Sequence, residues 1–218
     1  MHEYISAIGV SSCTVGVLWH LAREYFDLAK EVVDVCIGAV LLVLTSPIIL
    51  VCALIIRFSD WGPALFVQVR VGKSGRLFRM YKLRSMYRDA ESRSGAVWAG
   101  ADDPRVIRAC RWMRRSHVDE LPQLINVVKR EMSLVGPRPE RPEILIKLEE
   151  TYPQVTRRLA VRPGITGLAQ IRNGYDTTLE SFHHKLRADL EYIDNRNWTM
   201  ELSILAKTLG KLNDPLSH

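Results

Sequence analysis

The sequence predicts an α+β protein, a mostly helical domain with one short β-hairpin, joined to a single apolar segment that holds it at a membrane. Three observations carry this. Residues 35–56 form an uncharged run of 22, VCIGAVLLVLTSPIILVCALII. Residues 65–71 and 77–83 read as two strands around a tight connection at 72–75. Most of the chain beyond residue 105 has helical spacing punctuated by Gly and Pro. The 218 residues suit one domain with an extra arm, and 47% hydrophobic with 25% charged residues excludes disordered, collagen-like and low-complexity chains.

The first 29 residues, with Ile5, Ile8, Val15, Leu18 and Trp19, fit either an interfacial helix or an ordinary packed one. The apolar run from Val35 to Ile56 would measure about 33 Å as a helix, against a hydrocarbon core of about 30 Å. It is not a signal peptide, because it starts late, lacks a small-residue cleavage pattern and is followed by Arg57. Ser46-Pro47 sits near its centre. Proline removes a backbone donor there, and the hydroxyls of Thr45 and Ser46 are placed to take up freed carbonyls. Three arrangements remain open: a kinked spanning helix, a helix buried in a soluble core, and a re-entrant hairpin of two half-helices. The excess of Arg and Lys after the run puts the C-terminal bulk on the cytoplasmic side.

Beyond the run, Trp61-Gly62-Pro63 is a turn, and the hairpin comes next. Residues 92–103 form a Gly/Ala/Asp loop. Helices are expected at 106–115, 119–131, 143–152, 154–160, 179–195 and 200–212. Pro163-Gly164 reads as a turn with Gly at a positive-φ position. The expected organisation is an N-terminal segment 1–29, a membrane segment 30–58 and a cytoplasmic domain 59–218.

The net charge is +6 with a pI near 9.3, which points to phosphate-bearing partners without choosing among them. Between Asp60 and His117 there are 13 Lys or Arg against five acids, so this segment alone exceeds the whole chain's surplus. Cys13, Cys36, Cys52 and Cys110 form no CxxC pair and read as buried thiols of a reducing compartment. His117, His183 and His184 lack metal-ligand spacing.

Two segments carry candidate chemistry. In Ser116-His117-Val118-Asp119-Glu120-Leu121-Pro122-Gln123, Ser116 and Asp119 match a helix-capping pattern. An aspartate at a positive helix end also stays ionised, and such a carboxylate can attack phosphorus or hold Mg²⁺. In Val135-Gly136-Pro137-Arg138-Pro139-Glu140, two prolines stiffen the backbone around Arg138, which suits a guanidinium aimed at phosphate as well as a solvated loop.

With these residues in hand, the chain resembles the monotopic phosphoglycosyl transferases, or bacterial sugar transferases, over about residues 30 to 212. The likeness rests on motifs in a fixed order. They are Ser46-Pro47, Gly62-Pro63, Phe66-Val67-Gln68-Val69-Arg70-Val71-Gly72 and Tyr81-Lys82-Leu83-Arg84-Ser85-Met86, then Asp103-Pro104-Arg105-Val106 and Val118-Asp119-Glu120-Leu121-Pro122-Gln123-Leu124. Met132-Ser133-Leu134-Val135-Gly136-Pro137-Arg138-Pro139 and Arg162-Pro163-Gly164-Ile165-Thr166-Gly167-Leu168-Ala169-Gln170 complete it. The resemblance implies transfer of a sugar 1-phosphate from a UDP-sugar to undecaprenyl phosphate, with release of UMP, at the start of polysaccharide or glycoconjugate synthesis. It implies Asp119 as nucleophile and Mg²⁺ ligand, Glu120 as its helper, and a covalent phosphosugar–aspartate intermediate. It implies a re-entrant membrane segment broken at Ser46 and Pro47, and a catalytic domain on the cytoplasmic face of the bacterial inner membrane. Lys82, Arg84, Arg105 and Arg138 are the cations expected at or beside the phosphates. Where many relatives carry Gly-Arg after the late Ala-Gln, this chain has Ile171-Arg172, and Arg172 is the substitute. Some relatives carry four further N-terminal spans, so the chain looks like either the minimal catalytic form or a truncated longer one. The implied partners are a UDP-sugar, undecaprenyl phosphate and the lipid bilayer, not nucleic acid; a homodimer through the soluble helices is left open. The alternative of another class is a membrane-anchored basic binding or scaffold protein, which would not need the Asp-Glu pair.

Overall fold

The computed structural model describes residues 12–88, 90, 103–172 and 179–211, with side chains described from residue 21 apart from 179–181 and 211. Most of the expected loop at 92–103, the segment after Arg172 and the first eleven residues lie outside the described residues.

The apolar run lies within one helix, α1 (Ser12–Asp60). Its hydrogen-bonded pattern continues through Pro47. Pro47 has no N–H for the carbonyl of Val43 one turn back, and Ser46 Oγ donates to that carbonyl at 2.8 Å. Thr45 Oγ1 donates to Leu41 O at 2.7 Å. The serine hydroxyl therefore satisfies the carbonyl that the proline frees, and by hydrogen bonding α1 is one element rather than two separated half-helices. Only 11% of its most apolar stretch is buried. Val40, Val43, Leu44, Leu50 and Val51 face outward, more than half exposed. This excludes a helix buried in a soluble core, and α1 is the single helix among the described residues long and apolar enough to cross a membrane.

The other face of α1 packs on the domain along its length. Gly38 lies against Val127, so close that a Cβ there would meet Val127 Cγ1 at 2.9 Å. Cys52 and Ile56 are buried with Leu83, Ile107, Cys110 and Met113. Before the apolar run, Asp27 pairs with Arg196 at 2.8 Å, and Lys30 bridges Asp34 at 3.1 Å and Glu201 at 2.7 Å. Ser133 Oγ donates to Asp34 Oδ2 at 2.6 Å, and Tyr192 OH to Glu201 Oε1 at 2.7 Å. After the run, Asp60 faces Arg84 at 2.9 Å. The buried ions Lys30, Asp34 and Glu201, this close and mutually bonded, repay their desolvation only through such geometry.

The hairpin forms as the alternation predicts. β1 (Leu65–Val71) and β2 (Leu77–Leu83) are antiparallel, in register from Leu65↔Leu83 to Val71↔Leu77. Ser74 (φ 57°) and Gly75 (φ 76°) turn the chain between them. Buried Asn126 then acts as a third strand's backbone would, accepting from Tyr81 N at 3.1 Å and donating to Arg79 O at 2.7 Å. That fixes β2 against the short helix carrying Asn126.

A second sheet has no strong signal in the sequence. β3 (Ser133–Val135) and β4 (Gly164–Thr166) pair in parallel, Ser133 with Gly164 and Val135 with Thr166. Gly164 is thus in a strand, not at the positive-φ turn position expected. Its requirement is close approach: a Cβ on Gly164 would fall 2.1 Å from Gly136 N, one on Gly136 2.5 Å from Arg162 O, and one on Gly167 2.2 Å from Gly136 O. Three glycines let two backbones touch where side chains would hold them apart.

Helices differ from the sequence expectation at three places. The stretch 106–115 starts with Val106 bridged to Met86, then a 3-10 turn Arg108–Cys110, and only Arg111–Arg115 is α-helical (α2). The stretch 119–131 is a 3-10 helix Val118–Gln123 followed by α3 (Leu124–Val128), ended by Arg130 at φ 62°. Ser116 does not cap it. Its hydroxyl turns back to Trp112 O at 2.8 Å, and left-handed His117 (φ 55°) redirects the chain. Four helical stretches form close to where they are expected: α4 (Pro142–Thr151), a 3-10 helix Pro153–Ala160, α6 (Leu179–Asn195) and α7 (Trp198–Lys211); the short α5 (Leu168–Arg172) between them is not among those expected. Tyr192 is core, and Trp198 sets its edge on Phe26 of α1 at 5.2 Å. Cys52 and Cys110 are buried as expected; Cys36 instead faces outward on α1.

Candidate active site

Asp119 and Glu120 sit in the 3-10 helix behind His117, and both are buried. The tight winding aims adjacent side chains at different neighbours. Glu120 Oε1 meets Lys82 Nζ at 2.8 Å, and its two oxygens take both Nη groups of Arg138, one at 3.1 Å. Lys82 comes from β2 and Arg138 from the loop after β3, so three separate segments converge. Among the described residues, the hydrogen-bond partner of the Asp119 carboxylate is Ser85 Oγ, at a long 3.5 Å.

The two carboxyls are treated oppositely. Burial would raise Glu120, but the charges and hydrogen bonds of Arg138 and Lys82 outweigh it and hold the group well below the usual carboxylate range. Asp119 is pushed up to about 6, burial first, with the Glu120 charge adding to it and Lys82, Arg114 and Arg138 opposing. Burial also lowers Lys82, with Glu120 resisting. Asp119 is therefore largely ionised at neutral pH, as the sequence suggests, but not because of a helix end: nearby cations moderate the burial of its charge.

Of the cations read from the sequence, Lys82 and Arg138 meet at Glu120. Arg84 is buried and turned to Asp60 at the end of α1, its guanidinium lying over Gly62. Arg105 forks onto Asp103, with Nε 2.8 Å from Oδ1, and the backbone of that segment pairs with Ser85 and Tyr87. Arg172 pairs with Glu191 on an exposed part of α6. Ser46 and Pro47 lie on the exposed side of α1.

Residues not singled out in the sequence support the site from behind. Arg158, buried, donates to Arg138 O at 2.8 Å and to Asp189 Oδ2 at 2.8 Å. Lys185 and Glu140 pair at 2.6 Å beside it. Arg114 acts on Asp119 through its charge. Only the proline-stiffened neighbourhood of Arg138 hinted at this scaffold. Among the described residues no group of three or more His, Cys, Asp or Glu forms a ready metal cage. Mg²⁺ commonly takes one or two carboxylates and completes its shell with water and substrate phosphate, so the open carboxylate of Asp119 fits that ion.

Several known proteins are similar in sequence to this chain. It is 38% identical over 189 residues to a UDP-N-acetylgalactosamine-undecaprenyl-phosphate N-acetylgalactosaminephosphotransferase of Aeromonas hydrophila, covering 87% of this chain and 44% of that protein. It is 39% identical over 194 residues to a UDP-glucose:undecaprenyl-phosphate glucose-1-phosphate transferase of Caulobacter vibrioides, covering 88% of this chain and 72% of that one. An undecaprenyl-phosphate glucose phosphotransferase of Komagataeibacter xylinus is 41% identical over 186 residues, covering 83% of this chain and 35% of its own length. The chain thus spans less than half of two of these relatives and most of the third. The model of the bacterial sugar transferase family matches residues 25–214. With nearly the whole described chain inside that match and with these relatives beside it, the protein belongs to the bacterial sugar transferase family.

Proposed function

We propose that the protein transfers a sugar 1-phosphate from a UDP-sugar to undecaprenyl phosphate, through a phosphosugar covalently held on Asp119. The observation that carries this is the opposed treatment of two adjacent buried carboxyls: Glu120 is saturated by Lys82 and Arg138, while Asp119 keeps lone pairs available. An Asp119 oxygen attacks the phosphorus next to the sugar. The bond from that phosphorus to the bridging oxygen breaks, and UMP leaves with that oxygen. An oxygen of undecaprenyl phosphate then attacks the same phosphorus, forming the lipid diphosphate and returning Asp119 as a carboxylate. Lys82 and Arg138 offset the growing charge on phosphate oxygens, and Glu120 keeps both cations aimed. Mg²⁺, held by Asp119 and the diphosphate, would add further charge neutralisation. The sugar is left open, because the relatives' names specify both glucose and N-acetylgalactosamine.

The same reading puts α1 in one leaflet. Asp27, Lys30 and Asp34 before the apolar run, and Asp60 after it, all bind the same domain. A helix crossing the bilayer would set these groups on opposite sides. This supports a half-inserted anchor with the catalytic domain on the cytoplasmic face, where a soluble nucleotide sugar and a lipid phosphate meet. The test is UMP release by lipid-solubilised protein given UDP-sugars, Mg²⁺ and undecaprenyl phosphate. Lipid- and metal-dependent release that is lost in Asp119→Asn supports the reading. Release that persists in Asp119→Asn would falsify the nucleophile.

A further inference from the structure

The inner face of the hairpin is covered along most of its length and open at one end. Phe66, Gln68 and Arg70 of β1 share that face with Lys82, Met80 and Phe78, their directly opposed partners on β2. Phe78 and Met80 are buried in the core. Arg70 donates to Pro139 O at 2.9 Å and to Gln68 Oε1. At the remaining end, Phe66 is 41% exposed beside Lys82, whose Nζ is 2.8 Å from Glu120. A large apolar ring is thus left uncovered at the margin of the reacting groups.

Its position in the chain indicates what covers it. β1 begins only five residues after α1 ends. At this junction, Phe58 in the last turn of α1 and Trp61 just after it are 66% and 72% exposed, ring to ring at 6.2 Å, with the Arg57 guanidinium 5.6 Å from the Trp61 ring centre. Aromatic rings with a cation beside them suit the boundary between hydrocarbon and headgroups. Exposed apolar side chains therefore follow one another along the chain from the anchor to Phe66; on this face of β1 they give way to Gln68 and Arg70, while Leu65, Val67 and Val69 are exposed on the opposite face.

We infer that Phe66 contacts the isoprenoid units next to the phosphate of the lipid acceptor, guiding it from the bilayer to Asp119; this rests on the transferase reading above. A nucleobase could also stack on Phe66, but it would arrive from water, whereas the apolar continuity leads to the membrane. The test is steady-state kinetics of Phe66→Ala and Phe66→Leu with both substrates varied, together with equilibrium binding of undecaprenyl phosphate alone. The expected result is a rise of about tenfold in acceptor KM for Phe66→Ala, smaller for Phe66→Leu, as fits partial burial of one ring. Acceptor binding should weaken in parallel, and donor KM should move less than about twofold. A tenfold effect on donor KM with acceptor KM unchanged overturns the inference and makes Phe66 a nucleotide contact. Unchanged values for both substrates overturn it as well. Wild-type protein that releases no UMP counts against the transferase reading instead, and the binding arm still decides whether Phe66 holds the lipid.

Discussion

Asp119→Asn should remove the chemistry and at the same time stabilise the protein. The Asp119 carboxyl is raised from 3.8 to about 6, burial leading, and the attraction of Lys82, Arg114 and Arg138 is already contained in that net value. A rise of about two pH units corresponds to about 3 kcal/mol spent on keeping the buried group ionised. The sign follows from proton affinity. The folded state holds the proton more tightly than the unfolded one, so the group favours folding below about pH 4, and this advantage disappears as pH rises through about 6. Asparagine has nearly the same shape and never ionises. At pH 7.5 the variant should therefore be more stable by about 3 kcal/mol, or about 6–12 °C in melting temperature, and by about half that at pH 5. The assay is thermal unfolding of both proteins in one lipid preparation across pH 4.5–8, with UMP release measured alongside. Wild-type release should fall off below about pH 6 as Asp119 takes up its proton. A variant less stable than wild type at pH 7.5, or a stability difference flat across pH, would refute the view that Asp119 is held charged against its surroundings.

Three further substitutions separate the parts of the structure. Glu120→Gln removes the buried carboxylate charge that the partly buried Lys82 and Arg138 share; it should cost about 3–5 kcal/mol above pH 5 by chemical denaturation, and turnover should be lost with it. Since Glu120 is held well below its usual range, its stabilisation is fully present above about pH 4.5 and should fade only in stronger acid. Gly164→Ala drives a methyl into Gly136 N; it should destabilise by about 3 kcal/mol or more and displace the Arg138 loop, visible as lost donor turnover even in protein that remains folded. Arg172→Ala breaks only an exposed pair with Glu191 and should change stability by less than about 1 kcal/mol, with UMP release kept; a large loss of release would return Arg172 to the phosphate site.

Local patterns made much of the fold readable. Alternation at 65–71 and 77–83 located the hairpin, and the serine before Pro47 identified the hydroxyl that takes up the freed Val43 carbonyl. The β3–β4 pair was hidden because three-residue strands with long separation leave no periodicity. Gly164 looked like a turn because a glycine needed for close approach and one needed for positive φ read alike in sequence. Within the site, Asp119, Glu120, Lys82 and Arg138 were legible from their motifs. Which cations would face Glu120 was not, since Arg84 and Arg105 carry the same charge but find Asp60 and Asp103 first. Arg158 and Asp189 went unnoticed because a buried ion pair between distant helices has no local signature.

The bridge from Lys30 to Glu201 has a practical consequence for anyone wishing to handle the domain beyond α1 in water. Removing α1 would strip Glu201 of its ammonium partner, take the carboxylate of Asp34 from Ser133 on β3, and bare the flank of Val127 against which Gly38 rests. Ser133 begins the strand that leads directly to the Arg138 loop. The helix α1 is thus one wall of the domain rather than a leash on it. A water-soluble version needs α1 retained through its domain-facing residues, with polar substitutions confined to the outward row of Val40, Val43, Leu44, Leu50 and Val51.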